Sequence, residues 1–134
     1  MYTSEVKLRV RYAETDKMGY CYYGNYAQFF EVGRVEALRN LGFSYKELEA
    51  SGIILPVLEY QIKYIKPAYY DDILTIQTKI SKMPKTRMYF EYETYNEAGE
   101  LLNIASTTLV FVDEKTGKPT KPPKDLVESI VGYL

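Results

Sequence analysis

One carboxylate in this chain stands where it can do chemistry. Asp16 lies in Tyr12-Ala13-Glu14-Thr15-Asp16-Lys17-Met18-Gly19, followed by Tyr22-Tyr23-Gly24-Asn25-Tyr26 and then a segment of helical spacing with Phe29, Phe30, Glu31 and Arg34. A carboxylate just ahead of a helix start is useful. It can attack a substrate, or activate a water, while the first N–H groups of the helix polarise the substrate's carbonyl because they have no intrahelical acceptor. The chain has no histidine and one cysteine, Cys21. That excludes Ser-His-acid and Cys-His catalysis and removes the commonest transition-metal ligand. Any enzyme built from these residues works with carboxylates, hydroxyls, backbone dipoles, or Lys and Arg. A plainer reading of Asp16 stands beside the chemical one: a short acidic side chain often caps a turn through neighbouring backbone N–H groups.

The elements that must position Asp16 are legible in the hydropathy pattern. Residues 4–12 alternate, with Val6, Leu8 and Val10 on one face and Lys7, Arg9 and Arg11 on the other, which predicts a half-buried strand. Residues 13–23 read as irregular, with a turn at Gly19. From Gly24 to Leu41 the period becomes helical: Tyr26, Phe29, Phe30, Ala37, Leu38 and Leu41 trace an apolar stripe, and Glu31, Arg34 and Arg39 are expected off it. Gly33 falls on or near the stripe, where a missing side chain permits close packing at a helical cost of roughly 1 kcal/mol. Gly42 suits a C-cap. Ser44-Tyr45-Lys46-Glu47 reads as a capping box for a short second helix ending near Gly52. Strands are expected over 57–65, 73–80, 87–95 and 101–112, the last two forming a hairpin across Asn96-Glu97-Ala98-Gly99. A short helix over 124–130 closes the series. One long helix with an antiparallel sheet is an α+β domain, and no linker, repeat or composition shift divides residues 1–134.

Composition narrows the classes further. The 134 residues suffice for a real core, and 46% are hydrophobic, against extensive disorder. Lys and Arg total 17 against 18 Asp and Glu, so no basic stripe points to nucleic acid. Fifteen tyrosines supply large rings with polar tips, suited to strands, interfaces and half-wet pockets. A lone cysteine permits no intrachain disulfide and fits a reducing compartment. No apolar run is long enough to span a bilayer, and no basic-then-apolar leader is present. The expectation is a soluble cytoplasmic protein with no membrane partner.

The stretch from Tyr12 to Arg34 resembles the signature of the 4-hydroxybenzoyl-CoA thioesterase family, the Asp-dependent branch of the hotdog-fold acyl-CoA thioesterases. Tyr64-Ile65-Lys66-Pro67-Ala68 with Asp72, and Thr116-Gly117-Lys118-Pro119, fall in the right order to extend it. The resemblance implies a hotdog fold, an antiparallel sheet wrapped around one long helix. It implies hydrolysis of an acyl-CoA thioester, with Asp16 as nucleophile or general base. It assigns the backbone N–H of Tyr23, with Gly24 close by, to the thioester carbonyl. Many relatives carry histidine where Tyr23 stands and others carry tyrosine, so the resemblance implies that imidazole chemistry is not required there, with the side-chain role left open.

Asn25 is expected to hold the loop that carries Asp16, with Glu14 and Thr15 as supports and Cys21 as buried packing. A second hotdog branch uses a helix glutamate, but with Asp16 in its matched place Glu31 is expected to pair with Arg34 or a neighbouring subunit. Met18, Tyr22, Tyr26 and Leu58 are candidates for the acyl pocket. Lys63, Lys66, Lys82, Lys85 and Arg87 are candidates for the coenzyme A phosphates. The resemblance further implies a homodimer or homotetramer with active sites at subunit interfaces, sheets joined edge to edge. It implies no metal and no retained cofactor, since coenzyme A arrives within the substrate. Two rivals remain at this point: a hotdog dehydratase or hydratase, which usually needs the histidine this chain lacks, and a noncatalytic acyl-thioester binding or scaffold protein.

Overall fold

The computed structural model describes residues 1–134. The chain opens with β1 (Tyr2–Arg9) and passes through a 3-10 turn at Tyr12–Glu14 and a second at Tyr23–Asn25. It then enters the long helix α1 (Tyr26–Asn40) and the short α2 (Tyr45–Ala50). Strands β2 (Ile53–Ile54), β3 (Val57–Tyr64), β4 (Ile73–Ile80), β5 (Arg87–Tyr95), β6 (Leu101–Val110) and β7 (Val112–Asp113) follow, and α3 (Lys124–Val131) ends the chain. Five strands form one antiparallel sheet in the order β1-β4-β5-β6-β3. β2 pairs with β7 in a separate two-stranded ribbon.

The period-2 strands bury one face as expected. In β4 the buried residues are Leu74, Ile76, Thr78 and Ile80; in β5 they are Met88, Phe90, Tyr92 and Thr94. α1 lies across this face. Phe30 stacks on Tyr92 at 4.6 Å and meets Tyr60 edge-on at 6.2 Å. Tyr2 donates its hydroxyl hydrogen to the carbonyl of Ala37 at 2.9 Å, fixing the far end of α1 to β1. Gly33 is where helix and sheet come closest: a Cβ there would stand 2.7 Å from Thr78 Oγ1 and 3.1 Å from Ile76 Cγ2. The helix ends in a Schellman arrangement. Phe43 N–H donates to Leu38 O and Gly42 N–H to Arg39 O, with Gly42 at φ 93°.

Four sequence expectations need correction. The α-helix proper starts at Tyr26, because Tyr23–Asn25 makes a tighter 3-10 turn that leads into it. Arg34 lies on the buried face of α1, not off it, at 7% exposure. It forms no ion pair with Glu31; its guanidinium sits beside the phenols of Tyr45 and Tyr92 instead. The last long strand stops at Val110, and the chain swings to pair Val112 with Ile54, a two-residue contact too short to leave a periodic signal.

The two edges of the sheet differ. β1 is covered along one side by α1, whereas β3 is exposed at every residue except Ile62, which is half-buried. Val57, Leu58, Tyr60, Tyr64 and Ile65 leave a run of apolar surface along that free edge. No helix is long and apolar enough to cross a membrane.

Candidate active site

The loop between β1 and α1 folds back on itself. Thr15 bridges Cys21, Tyr20 bridges Tyr69, and Asp16 N–H donates to Tyr20 O at 2.8 Å. Inside this small hairpin the Asp16 carboxylate uses one oxygen. Oδ1 accepts from Met18 N–H at 3.0 Å and from Tyr20 N–H at 3.2 Å, which fixes the side chain over the turn. Oδ2 takes no protein hydrogen bond. The turn-capping and chemical readings of Asp16 are therefore compatible, because capping consumes only half of the carboxylate.

Glu14 joins that loop to the helix start. Its carbonyl accepts from Tyr22 N–H at 2.7 Å and from the Asn25 side-chain amide at 2.8 Å. Its carboxylate is buried and bonded twice to Arg11, from the backbone N–H at 2.7 Å and from Nη2 at 3.0 Å. Burial works against the charge on Glu14, but the hydrogen bonds and positive charge of Arg11 outweigh it and hold the carboxyl below the usual glutamate range. Tyr23 and Gly24 follow directly. Their N–H groups stand at the head of the 3-10 turn and make no hydrogen bond inside or outside it. The ring of Tyr22 lies close over Gly24: a Cβ there would stand 2.6 Å from it, and the exposed ring would have to shift.

Asp16 and Tyr23 border one cavity of about 270 Å³. Met18, Tyr20, Cys21 and Tyr26 complete its loop-and-helix wall, and Tyr64, Ile65, Lys66 and Pro67 at the end of β3 form the other. The lining is mainly apolar, with one carboxylate and one ammonium. Tyr26 is buried, its ring 5.9 Å from that of Tyr64, and burial raises its phenol well above the ordinary range. Burial, helped by the Glu14 charge, pushes the Cys21 thiol up to about 11. Cys21 is therefore a neutral packing group, not a nucleophile.

The remaining candidates are placed as follows. Lys66 borders the Asp16 cavity and is paired with Glu100. Tyr22 lies outside that lining; its ring covers Gly24 and packs on Tyr23 at 4.7 Å. Leu58 is exposed on the free β3 edge, away from the cavity lining. Lys63 borders a separate shallow site with Glu91 on the sheet. Lys82 sits 4.8 Å over the Tyr89 ring, and Lys85 and Arg87 border a depression at the β4–β5 turn. That turn is at the opposite end of the sheet from Asp16, since Arg87 pairs with Val110 and Tyr64 with Asn103 on the same strand β6. Glu31 and Arg34 border a third hollow between α1 and β3, with Tyr60 and Thr107. As site residues, sequence reasoning missed Arg11 and the lining residues Tyr20, Cys21, Tyr64, Ile65 and Pro67. Arg11 had a usable signal, since Arg and Glu three residues apart can close a tight turn.

Comparison with known proteins bears on the family and the fold. Residues 10–130 match the family described as the thioesterase-like superfamily. The putative acyl-CoA thioesterase YneP of Bacillus subtilis is 38% identical over 119 residues, covering 89% of this chain and 86% of that protein. The acyl-CoA thioester hydrolase YbgC of Escherichia coli is 38% identical over 120 residues, 90% of each chain. Among solved structures, a DHNA-CoA thioesterase from Staphylococcus aureus superposes with a TM-score of 0.95 at 39% identity, covering 99% of this chain and 91% of that one. The hotdog fold expected from the Tyr12–Arg34 motif is the fold of this chain.

Proposed function

Because the chain belongs to the thioesterase-like superfamily and is an acyl-CoA thioester hydrolase, we propose that hydrolysis runs in the Asp16 cavity, with Asp16 supplying the oxygen chemistry and the Tyr23 N–H meeting the carbonyl oxygen. One observation carries this reading: Asp16, whose carboxylate keeps one oxygen free, and Tyr23, whose helix-start N–H is unpaired, line the same apolar cavity. The donor is fixed by the fold against a mainly apolar lining, so it meets developing negative charge without having to reorganise. Asp16 Oδ2 can attack the carbonyl carbon and expel the coenzyme A thiolate. Water then opens the acyl–Asp16 anhydride to the acid. By the other route the same oxygen takes a proton from water as that water attacks, and the proton passes to the leaving sulfur. Either way one water enters and one acid and one thiol leave.

The acyl group meets Met18, Tyr26, Tyr64 and Ile65. The relatives include enzymes named for unspecified acyl-CoA and for DHNA-CoA, so both aliphatic and hydroxyaromatic acyl groups belong in the test. The phosphates of coenzyme A call for cations, and Lys66 alone stands at the cavity. The Lys82–Arg87 turn lies at the other end of β5, a strand nine residues long and so about 30 Å away. Pairing two β3 edges about a two-fold axis is antiparallel and reverses one sheet against the other. It would bring a partner's Lys82, Lys85 and Arg87 to the Asp16 end and cover the apolar residues of β3. The active enzyme in this reading is thus a homodimer, or a tetramer built from it, with each site shared. Its setting is the cytoplasm, where the single thiol Cys21 stays reduced.

The test is release of free thiol from a panel of short, branched, long-chain, benzoyl and 1,4-dihydroxy-2-naphthoyl coenzyme A esters, by the wild type and by Asp16→Asn. Asparagine keeps an Oδ1 that accepts from Met18 and Tyr20, so the turn survives while the charged oxygen is lost. Activity in the wild type that disappears in a folded Asp16→Asn protein supports the reading. Activity that survives the substitution refutes it and moves attention to Glu31.

A further inference from the structure

Both halves of the proposed site are tied to one residue that lines no part of the cavity. Glu14 is two residues before Asp16 in the chain. Its carbonyl oxygen receives the N–H of Tyr22, the residue before Tyr23, and the side-chain amide of Asn25, two residues after it. The donor at Tyr23 is thus bracketed by two hydrogen bonds to a single oxygen, and that oxygen belongs to the segment that carries Asp16. The Glu14 side chain is 8% exposed and locked by two hydrogen bonds from Arg11, which caps the 3-10 turn Tyr12–Glu14. No other buried carboxylate is present in the chain.

From this we infer that Glu14 is a positioning residue for thioester hydrolysis: it sets the separation of the Asp16 carboxylate from the Tyr23 N–H. The inference rests on the Asp16–Tyr23 reading above. Asp16 is already held to its own turn through Met18 and Tyr20. Tyr23 is already held at the head of the helix. What neither element supplies by itself is the spacing between the two, and the only hydrogen bonds joining the segment just before Asp16 to the residues flanking Tyr23 converge on Glu14. An ionised, buried carboxylate gives this joint its stiffness. If the joint turns, Asp16 and the N–H each keep their local geometry and lose their alignment across the carbonyl. Misplacement of about 1 Å between reacting groups costs on the order of 100-fold in rate.

Two variants test this. Glu14→Gln keeps the shape and the backbone carbonyl but removes the charge that Arg11 grips. Asn25→Ala leaves Glu14 intact and removes one of the two bonds to its carbonyl. Each is compared with the wild type and Asp16→Asn for kcat and KM on the best ester of the panel, with folding checked by thermal denaturation. The expected result is a fall in kcat of about 10- to 100-fold in both variants, KM within about twofold of wild type. Glu14→Ala should fall further than Glu14→Gln, and the Glu14→Gln, Asn25→Ala double variant should lose less than the product of the two singles, since both act on one joint. A purely structural role would lower the melting temperature while leaving kcat per folded enzyme unchanged, and that result overturns the inference. Activity surviving in Asp16→Asn would instead sink the underlying site. Loss in Asp16→Asn with kcat unmoved in the other two would sink the positioning role alone.

Discussion

Replacing Gly33 by alanine should destabilise the protein, although alanine is the better helix former. Gly33 is in the middle of α1, where the change by itself would gain up to about 1 kcal/mol. Against this stands the sheet. The new Cβ would lie 2.7 Å from Thr78 Oγ1 and 3.1 Å from Ile76 Cγ2, both on the interior strand β4 and both inside ordinary contact distance. Thr78 and Ile76 are buried and β-branched, so neither can swing away cheaply. Overpacking of this kind costs about 1–3 kcal/mol. The balance is a net loss of about 1 kcal/mol, with an upper end near 2. With a urea slope of about 2 kcal/mol per molar, the unfolding midpoint should fall by roughly 0.5–1 M, measured at fixed protein concentration because an oligomer's stability depends on it. Thr78→Ala removes the nearest clashing atom. In its background Gly33→Ala should cost about 1 kcal/mol less than it does alone. A midpoint that rises in the single variant, or a double variant that behaves additively, would refute the claim that helix and sheet meet here at closest packing.

Cys21, with its thiol pushed up to about 11 by burial, should resist alkylation by iodoacetamide at pH 8 in the native protein and react once urea unfolds it; rapid native labelling would contradict the burial. Glu93 and Glu100 are held below the ordinary glutamate range by hydrogen bonds from Lys79 and Lys66, and Glu14 by Arg11 bonds that overcome its burial. Their contribution is therefore complete above the unfolded value of about 4.3 and is lost as pH falls through the lower folded values. The melting temperature should drop on acidification below about pH 4.5, and Glu14→Gln should flatten that drop. Ser44 accepts from Glu47 N–H at 3.1 Å at the start of α2, so Ser44→Ala should cost about 1 kcal/mol in urea titration, with no loss of kcat. Mixing Asp16→Asn with a Lys85→Ala, Arg87→Ala variant and letting subunits exchange should restore about a quarter of wild-type activity, one site per mixed dimer being whole. No recovery would mean that the basic turn does not serve a partner's site.

Much of the frame was legible because it is written in short-range pattern. β4 and β5 follow strict alternation and fall at the residues expected, 73–80 and 87–95. The helical stripe, the Gly42 stop and the Ser44 cap each rest on chemistry within a few residues. The errors came where a distant neighbour decides. Arg34 reads as polar and therefore exposed, yet tertiary packing sets it against Tyr45 and Tyr92, which no helical period can announce. The end of β6 was misjudged because Val112 continues the apolar pattern while pairing with Ile54, a residue some sixty positions away in sequence.

The site divides along the same line. The sequence alone excluded histidine chemistry, placed Asp16 just before a helix start, and carried a motif that resembles the signature of a thioesterase family. Residue types and local spacing suffice for the first two, and the resemblance supplies the third. Only the tertiary structure decided that Asp16 keeps one oxygen free while capping its own turn, and that Tyr64 to Pro67 close the cavity from the far strand. It alone placed the Lys82–Arg87 turn at the wrong end of its own chain and gathered the helix start onto the carbonyl of Glu14. These depend on which groups meet after the chain has folded: neither the meeting of Asp16 with Tyr64 from a distant strand nor the return of Tyr22 and Asn25 onto Glu14 leaves a mark in local pattern.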